Sequence, residues 1–160
     1  MKVVFFHAKH PLARVARWFT RGKINHVGIL DPDKNWFYES VPLRGVSVSP
    51  AARRLAGTPH TVYALTEPLT ERQKEELIVF LQDQLGKSYD YSGVLRFVSR
   101  RAMPESTAED FWFCSELVIE AFAKVGKILL RAPGWKITPE ALSYSPALKR
   151  DEGGAFDGLR

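Results

Sequence analysis

Two runs with strand character, His26-Val27-Gly28-Ile29-Leu30 and Asn35-Trp36-Phe37-Tyr38-Glu39-Ser40, are separated by only Asp31-Pro32-Asp33-Lys34. A connection this short permits an antiparallel hairpin and excludes a parallel pair, which needs a crossover of about a dozen residues or more. Residues 2–6, 45–49 and 61–65 continue the strand pattern. Helical signals surround these strands. Pro11 opens a helix over 11–20, Pro50 a short one over 50–55, and Thr70 with Gln73 forms a capping-box pattern ahead of a helix to Leu85. Residues 91–101 read as helical and 103–109 as a polar loop. A helix, antiparallel strands and then more helices give an α+β chain. Its 160 residues suit one domain, expected over 1–150, with 151–160 as a disordered, glycine-rich tail.

Cys114 is the only cysteine. It follows the aromatic run Phe111-Trp112-Phe113 and precedes a segment whose apolar residues, Leu117, Val118, Ala121, Phe122 and Val125, recur at helical spacing. Gly126 stands where such a helix would be capped. Cys114 therefore falls at the first turn, where free N–H groups and the helix dipole favour a thiolate. Two readings follow: a nucleophile, or a small buried hydrophobe, the commoner fate of a free cysteine.

A nucleophile needs a base. Of the four histidines, His7 and His10 fall in a turn with no third ligand at metal spacing, and His60 follows Pro59 in what reads as a solvated loop. His26 opens a strand. With Asp31–Lys34 as the loop, Leu30 pairs with Asn35 and His26 faces Glu39, about 5 Å away on the same side of the sheet. A carboxylate there would hydrogen-bond the imidazole and stabilise its charged form, the third role in a nucleophile–base–orienter set. A surface His–Glu pair is the alternative. No metal and no cofactor are expected.

The chain carries 23 Lys and Arg against 18 Asp and Glu, a formal charge of +5. The excess gathers at Arg14, Arg17, Arg21 and Lys23, at Arg53-Arg54, and at Arg96, Arg100 and Arg101. This suits an anionic polymer or a membrane surface, although a solvated helix face is the commoner origin of such clusters. No nucleic-acid-binding signature is present, so nucleic acid is not an expected partner. No stretch has the apolar length of a membrane span, and the N-terminus lacks a signal peptide's apolar core. A cytoplasmically made protein is expected, reaching a cell wall, if it does, in a virion or by a non-classical route.

Several segments resemble one family in its own order. Asn25-His26-Val27-Gly28-Ile29 is similar to the histidine strand of circularly permuted papain-like hydrolases of the NlpC-type superfamily, related to bacterial YiiX and YaeF. Tyr38-Glu39-Ser40 with Arg44-Gly45-Val46 resembles the family's next hairpin. Gly86-Lys87-Ser88-Tyr89-Asp90 resembles its Gly-x-x-Tyr-Asp element, Phe113-Cys114-Ser115-Glu116-Leu117 its nucleophile helix, and Ile137-Thr138-Pro139-Glu140-Ala141-Leu142 a late segment. The histidine precedes the cysteine, as the permuted order requires. The resemblance implies a permuted papain-like fold with Cys114, His26 and Glu39 as a triad, the same three residues reached from the pattern. Phe113 departs from members that carry Tyr, which leaves the oxyanion to backbone N–H groups, those of Cys114 and Ser115. Tyr89 and Asp90 are candidates for the cleft wall, with a turn-stabilising role as the alternative for Asp90, and Glu116 is expected as a rim or structural carboxylate. The resemblance implies a cysteine hydrolase of an amide bond, with peptidoglycan peptides as the first substrate choice. Lipid or amide acyl transfer, a thiol esterase activity, or a non-catalytic binding module of a phage particle are the alternatives.

Overall fold

The computed structural model describes residues 1–7, 23–89, 111–134 and 137–152. The helices expected over 11–20 and 91–101, the loop 103–109, His10, Asp90 and most of the tail lie outside these residues. So do Arg14, Arg17, Arg21, Arg96, Arg100 and Arg101.

Six strands form one antiparallel sheet in the order β4-β3-β2-β1-β5-β8. They are β1 (Lys2–Phe6), β2 (His26–Asp31), β3 (Trp36–Val41), β4 (Gly45–Pro50), β5 (His60–Leu65) and β8 (Leu148–Arg150). Among the described residues, four helices accompany them: α1 (Ala51–Leu55), α2 (Glu71–Asp83), α3 (Cys114–Lys124) and α4 (Pro139–Ser143). Two short strands, β6 (Ser88–Tyr89) and β7 (Phe111–Trp112), pair in parallel just ahead of α3. No helix among the described residues is long and apolar enough to cross a membrane.

Alternation along the strands sorts the side chains onto two faces. Val3, Phe5, Val27, Ile29 and Tyr38 pack with Leu77 and Leu81 of α2 and with Leu117, Val118, Ala121 and Phe122 of α3. Val4, Phe6, Leu30, Phe37 and Val62 face Ala51 and Leu55 of α1. The sheet is thus covered on both sides, and strands buried on both faces are apolar runs rather than strict alternations.

Helix ends follow the sequence signals. Thr70 Oγ1 accepts from the Gln73 N–H while Gln73 Oε1 accepts from the Thr70 N–H. At the end of α3, Gly126 takes φ +76 and the N–H groups of Gly126 and Lys127 return to Ala123 O and Phe122 O at 2.9 Å each. That is a Schellman closure, which a residue with a Cβ enters only at a cost.

Several expectations are corrected. The hairpin loop is Pro32–Asn35, not Asp31–Lys34, and Leu30 pairs with Phe37. Asp31 is buried in β2, and its Oδ1 accepts from the N–H groups of Asp33 and Lys34. His60 is not solvated: it opens β5, is 3% exposed, and donates through Nδ1 to Thr58 O at 2.6 Å. Its place beside Phe6 in the sheet buries it, which the polar loop before it concealed. The segment after Gly126 is less irregular than its composition suggests, because β8 adds to the sheet edge on β5. Asp151, assigned to the tail, donates its N–H to Val62 O at 2.9 Å and pairs with Lys2 at 2.6 Å.

Candidate active site

Cys114, His26 and Glu39 converge where the start of α3 meets β2 and β3. Helix α3 lies against both strands. Cys114, its first residue, is 2% exposed, and its sulfur stands near enough to the His26 imidazole to help raise the ring's pKa. The His26 Nε2–H donates to Glu39 Oε2 at 2.7 Å, which leaves Nδ1 as the nitrogen for the thiol. The imidazole therefore bridges sulfur and carboxylate.

The pairing differs in detail from a directly facing pair. With Leu30 opposite Phe37, the register carries Glu39 to a position opposite Gly28, and His26 becomes its diagonal neighbour. Diagonal neighbours on one face stand within reach of long side chains. Gly28 has a reason to be there. A Cβ at that position would lie 2.4 Å from the Phe37 ring and 2.7 Å from Tyr38 O.

Electrostatics favour charge on both members. Burial works against the His26 cation, but its hydrogen bonds to Cys114 and Glu39, and the charges of both, raise its pKa to about 9. Burial likewise works against the Glu39 anion, yet His26 and Arg54 hold its pKa down at about 2. An imidazole between a thiol and an ionised carboxylate can take the thiol proton for attack on an acyl carbon and return it to a leaving group.

The Cys114 side of the site is fastened by the segments that stood out in the sequence. Gly45 takes φ +66, and a Cβ there would lie 2.0 Å from Lys87 O. Val46 and residues 86–87 exchange two backbone bonds: Val46 N–H to Lys87 O at 2.8 Å, and Gly86 N–H to Val46 O at 2.9 Å. The next residues form β6, which pairs with β7, which leads into Cys114. Ser40 Oγ donates to Trp112 O at 2.7 Å, and Trp112 Nε1–H donates to Gln84 Oε1 at 3.2 Å. The late segment clamps both halves. Ser115 Oγ donates to Ile137 O, while Glu140 Oε2 accepts the Ile24 N–H at 2.8 Å, two residues before His26.

The secondary candidates divide. The Ser115 side chain is spent on that clamp, so only its backbone N–H remains for the oxyanion role. Glu116 Oε2 accepts the Phe113 N–H at 3.3 Å and caps the start of α3. Tyr89, expected at the cleft wall, lies in the apolar core with its ring edge-on to Phe113 at 6.0 Å. Asp90 lies outside the described residues. Sequence reasoning missed Arg54, Ser40 and Glu140 as parts of the site. Arg54 had been placed with the surface charge, whereas its guanidinium makes two bonds to Glu39.

A family model described as permuted papain-like amidase enzyme, YaeF/YiiX, C92 family, matches residues 2–133. The chain belongs to that family. It is a cysteine amidase or peptidase by membership, and its fold is the permuted papain-like one. The crystal structure of the metalloprotein yiiX from Escherichia coli O157:H7 superposes with a TM-score of 0.70 over 94% of each chain, at 18% identity. None of the curated proteins matches the chain. The yiiX neighbour is described as a metalloprotein. In this family member, no group of three or more His, Cys, Asp or Glu among the described residues could hold a metal ion. At the Cys–His–Glu cluster itself, both Glu39 oxygens already face the Arg54 cation. The residues present there do not fit a metal.

Proposed function

We propose that the protein hydrolyses an amide bond of peptidoglycan peptides through Cys114, with His26 as proton carrier and Glu39 as its orienting carboxylate. The observation that carries this reading is the single imidazole shared between Cys114 and the ionised Glu39. In the first step the Cys114 thiolate attacks the carbonyl carbon, and the oxygen becomes an anion. The N–H groups of Cys114 and Ser115 at the start of α3 have no intrahelical acceptor and are the donors for that anion. As the tetrahedral adduct collapses, imidazolium His26 gives its proton to the departing amine. Neutral His26 then takes a proton from water, whose oxygen attacks the thioester. The acid is released, and the thiolate–imidazolium pair is restored.

The formal charge of +5 favours an anionic polymer such as the wall. Lipid acyl transfer would use the same cysteine chemistry on another anionic surface. The test is a side-by-side assay of intact sacculi, soluble muropeptides and anionic phospholipid vesicles. The reading predicts turnover of both wall substrates. It also predicts that added salt slows sacculus digestion more than muropeptide digestion, because screening acts on capture rather than on the buried chemical step. Turnover of vesicles with neither wall substrate cleaved would replace the substrate and leave the cysteine chemistry in place.

A further inference from the structure

We infer that Arg54 is a positioning residue of the reaction: its guanidinium fixes Glu39 so that one carboxylate oxygen stays aimed at His26. This rests on the Cys114–His26–Glu39 reading and extends it to a fourth residue, on a different helix.

The geometry is specific. Arg54 Nε–H donates to Glu39 Oε1 at 2.6 Å, and an Nη2–H donates to Oε2 at 2.8 Å. Such a two-point fork removes the freedom of the carboxylate to rotate, which a single-point lysine contact would not do. Oε2 also accepts from His26 Nε2. The carboxylate plane that Arg54 sets is therefore the plane in which the imidazole is held.

Arg54 is itself held. Its guanidinium carbon lies 4.3 Å from the centroid of the Phe6 ring and 5.8 Å from that of Phe37. Phe6 is also the β1 partner of His26, the two rings being 5.5 Å apart, so one aromatic ring supports both the cation and the base. Helix α1, which carries Arg54, is tied to the sheet. Its Ala51 and Leu55 are buried in the Phe6–Phe37–Val62 cluster. The Ala51 and Ala52 N–H groups donate to Asn35 O at 2.8 Å and Asn35 Oδ1 at 3.2 Å, in the turn between β2 and β3. The hairpin that presents His26 and Glu39 thus also anchors the helix that presents Arg54.

Charge supports the same role. Glu39 is 3% exposed, and a buried carboxylate with one neutral partner would tend to take up a proton. Among the described residues, the charged or titratable groups facing it are His26 from β2 and Arg54 from α1, while β4 offers the neutral Ser47 opposite it. Beyond His26 lies Cys114 of α3, and His60 of β5 lies across Phe6. Arg54 is the partner whose charge does not change with pH, so it keeps Glu39 an acceptor when His26 becomes neutral during turnover.

The test uses the whole protein and two readouts that need no substrate. The first is the nuclear magnetic resonance signal of the His26 Nε2–H proton. The second is the rate at which iodoacetamide alkylates Cys114 at pH 7. Arg54→Met keeps an apolar stem over Phe6 and removes the fork. The expected result is loss or exchange broadening of the Nε2–H signal and alkylation about tenfold slower, a loss of one charge-assisted hydrogen bond's alignment. Arg54→Lys keeps the charge and should recover part of both. Should Arg54→Met fail to fold, Arg54→Lys carries the test alone, with alkylation several-fold slower than wild type. A folded Arg54→Met, or in its absence Arg54→Lys, with the wild-type signal and wild-type alkylation rate would overturn the inference. An unreactive Cys114 in the wild type would instead count against the thiol mechanism, and the Nε2–H signal would still decide the role of Arg54.

Discussion

Ser40 Oγ donates a 2.7 Å hydrogen bond to Trp112 O, joining the residue after Glu39 to the residue two before Cys114. The bond crosses between the two halves of the site, since β3 carries the carboxylate and β7 delivers the cysteine helix. Ser40 is fully buried, so its hydroxyl has no solvent alternative. Ser40→Ala should cost about 1 kcal/mol of stability, a fall in melting temperature of roughly 2–4 °C. Turnover should fall further than that loss of folded protein explains, because displacing a nucleophile by even a fraction of an ångström is costly. Thermal denaturation measured beside kcat separates the two effects. A lowered melting temperature with unchanged kcat would make the bond purely structural.

Gly45 is a second fastening. Its φ of +66 and the 2.0 Å approach that a Cβ would make to Lys87 O leave no room for a side chain. The obstacle is backbone, which cannot swing away as a side-chain end can. Gly45→Ala should therefore destabilise by about 3 kcal/mol or more, lowering the melting temperature by roughly 10 °C. Gly57 takes φ +69 but has open space around it, so Gly57→Ala should carry the conformational cost alone and fall well short of that loss. Equal effects at the two positions would remove the close approach from the explanation.

The pH profile follows from the charges around His26. Its pKa of about 9 is supported by Cys114 and Glu39, so kcat/KM should fall along an alkaline limb near pH 9, where the imidazolium is deprotonated. Glu39→Gln can still bond the ring but no longer stabilises its charge. That variant's alkaline limb should move to lower pH. Its turnover should drop roughly 10–100-fold, the loss of about 1.5–3 kcal/mol expected for a hydrogen bond to a charged group. An alkaline limb at the same pH in Glu39→Gln would remove Glu39 from the proton-carrying unit.

Stability should respond to pH through the same two groups. The His26 pKa is raised from 6.5 to about 9, so its contribution is complete below pH 6.5 and is lost as pH rises through 9. The Glu39 pKa is lowered from 4.5 to about 2, so its contribution is complete above pH 4.5 and is lost as pH falls towards 2. Both are present in full between pH 4.5 and 6.5. Melting temperatures of the wild type should decline between pH 6.5 and 9 more than those of His26→Ala. Parallel curves over that interval would contradict the coupling.

The pairing of His26 with Glu39 was legible for a reason that survives its error. Moving the loop by one residue at both ends shifts the register by two, and a shift of two preserves which face each side chain occupies. The cysteine helix was legible because its apolar spacing and Gly126 are local signals. Arg54 was not. Nothing local distinguishes a guanidinium that ends on a buried carboxylate from one that ends in water, and Arg53 beside it is exposed. The strands β6 and β7, two residues each, carry no period that a sequence can show. His60 looked solvated because its burial comes from β1 across the sheet, not from its neighbours in the chain.

Cleavage of purified muropeptides in heavy-oxygen water, followed by mass spectrometry, tests the central claim most directly. The account predicts that the wild type opens one peptide amide bond and leaves a single heavy oxygen in the new carboxyl group. It predicts that Cys114→Ala, folded to the same circular dichroism spectrum, releases nothing. The same fragments from Cys114→Ala would contradict a thiol nucleophile and the account built on it.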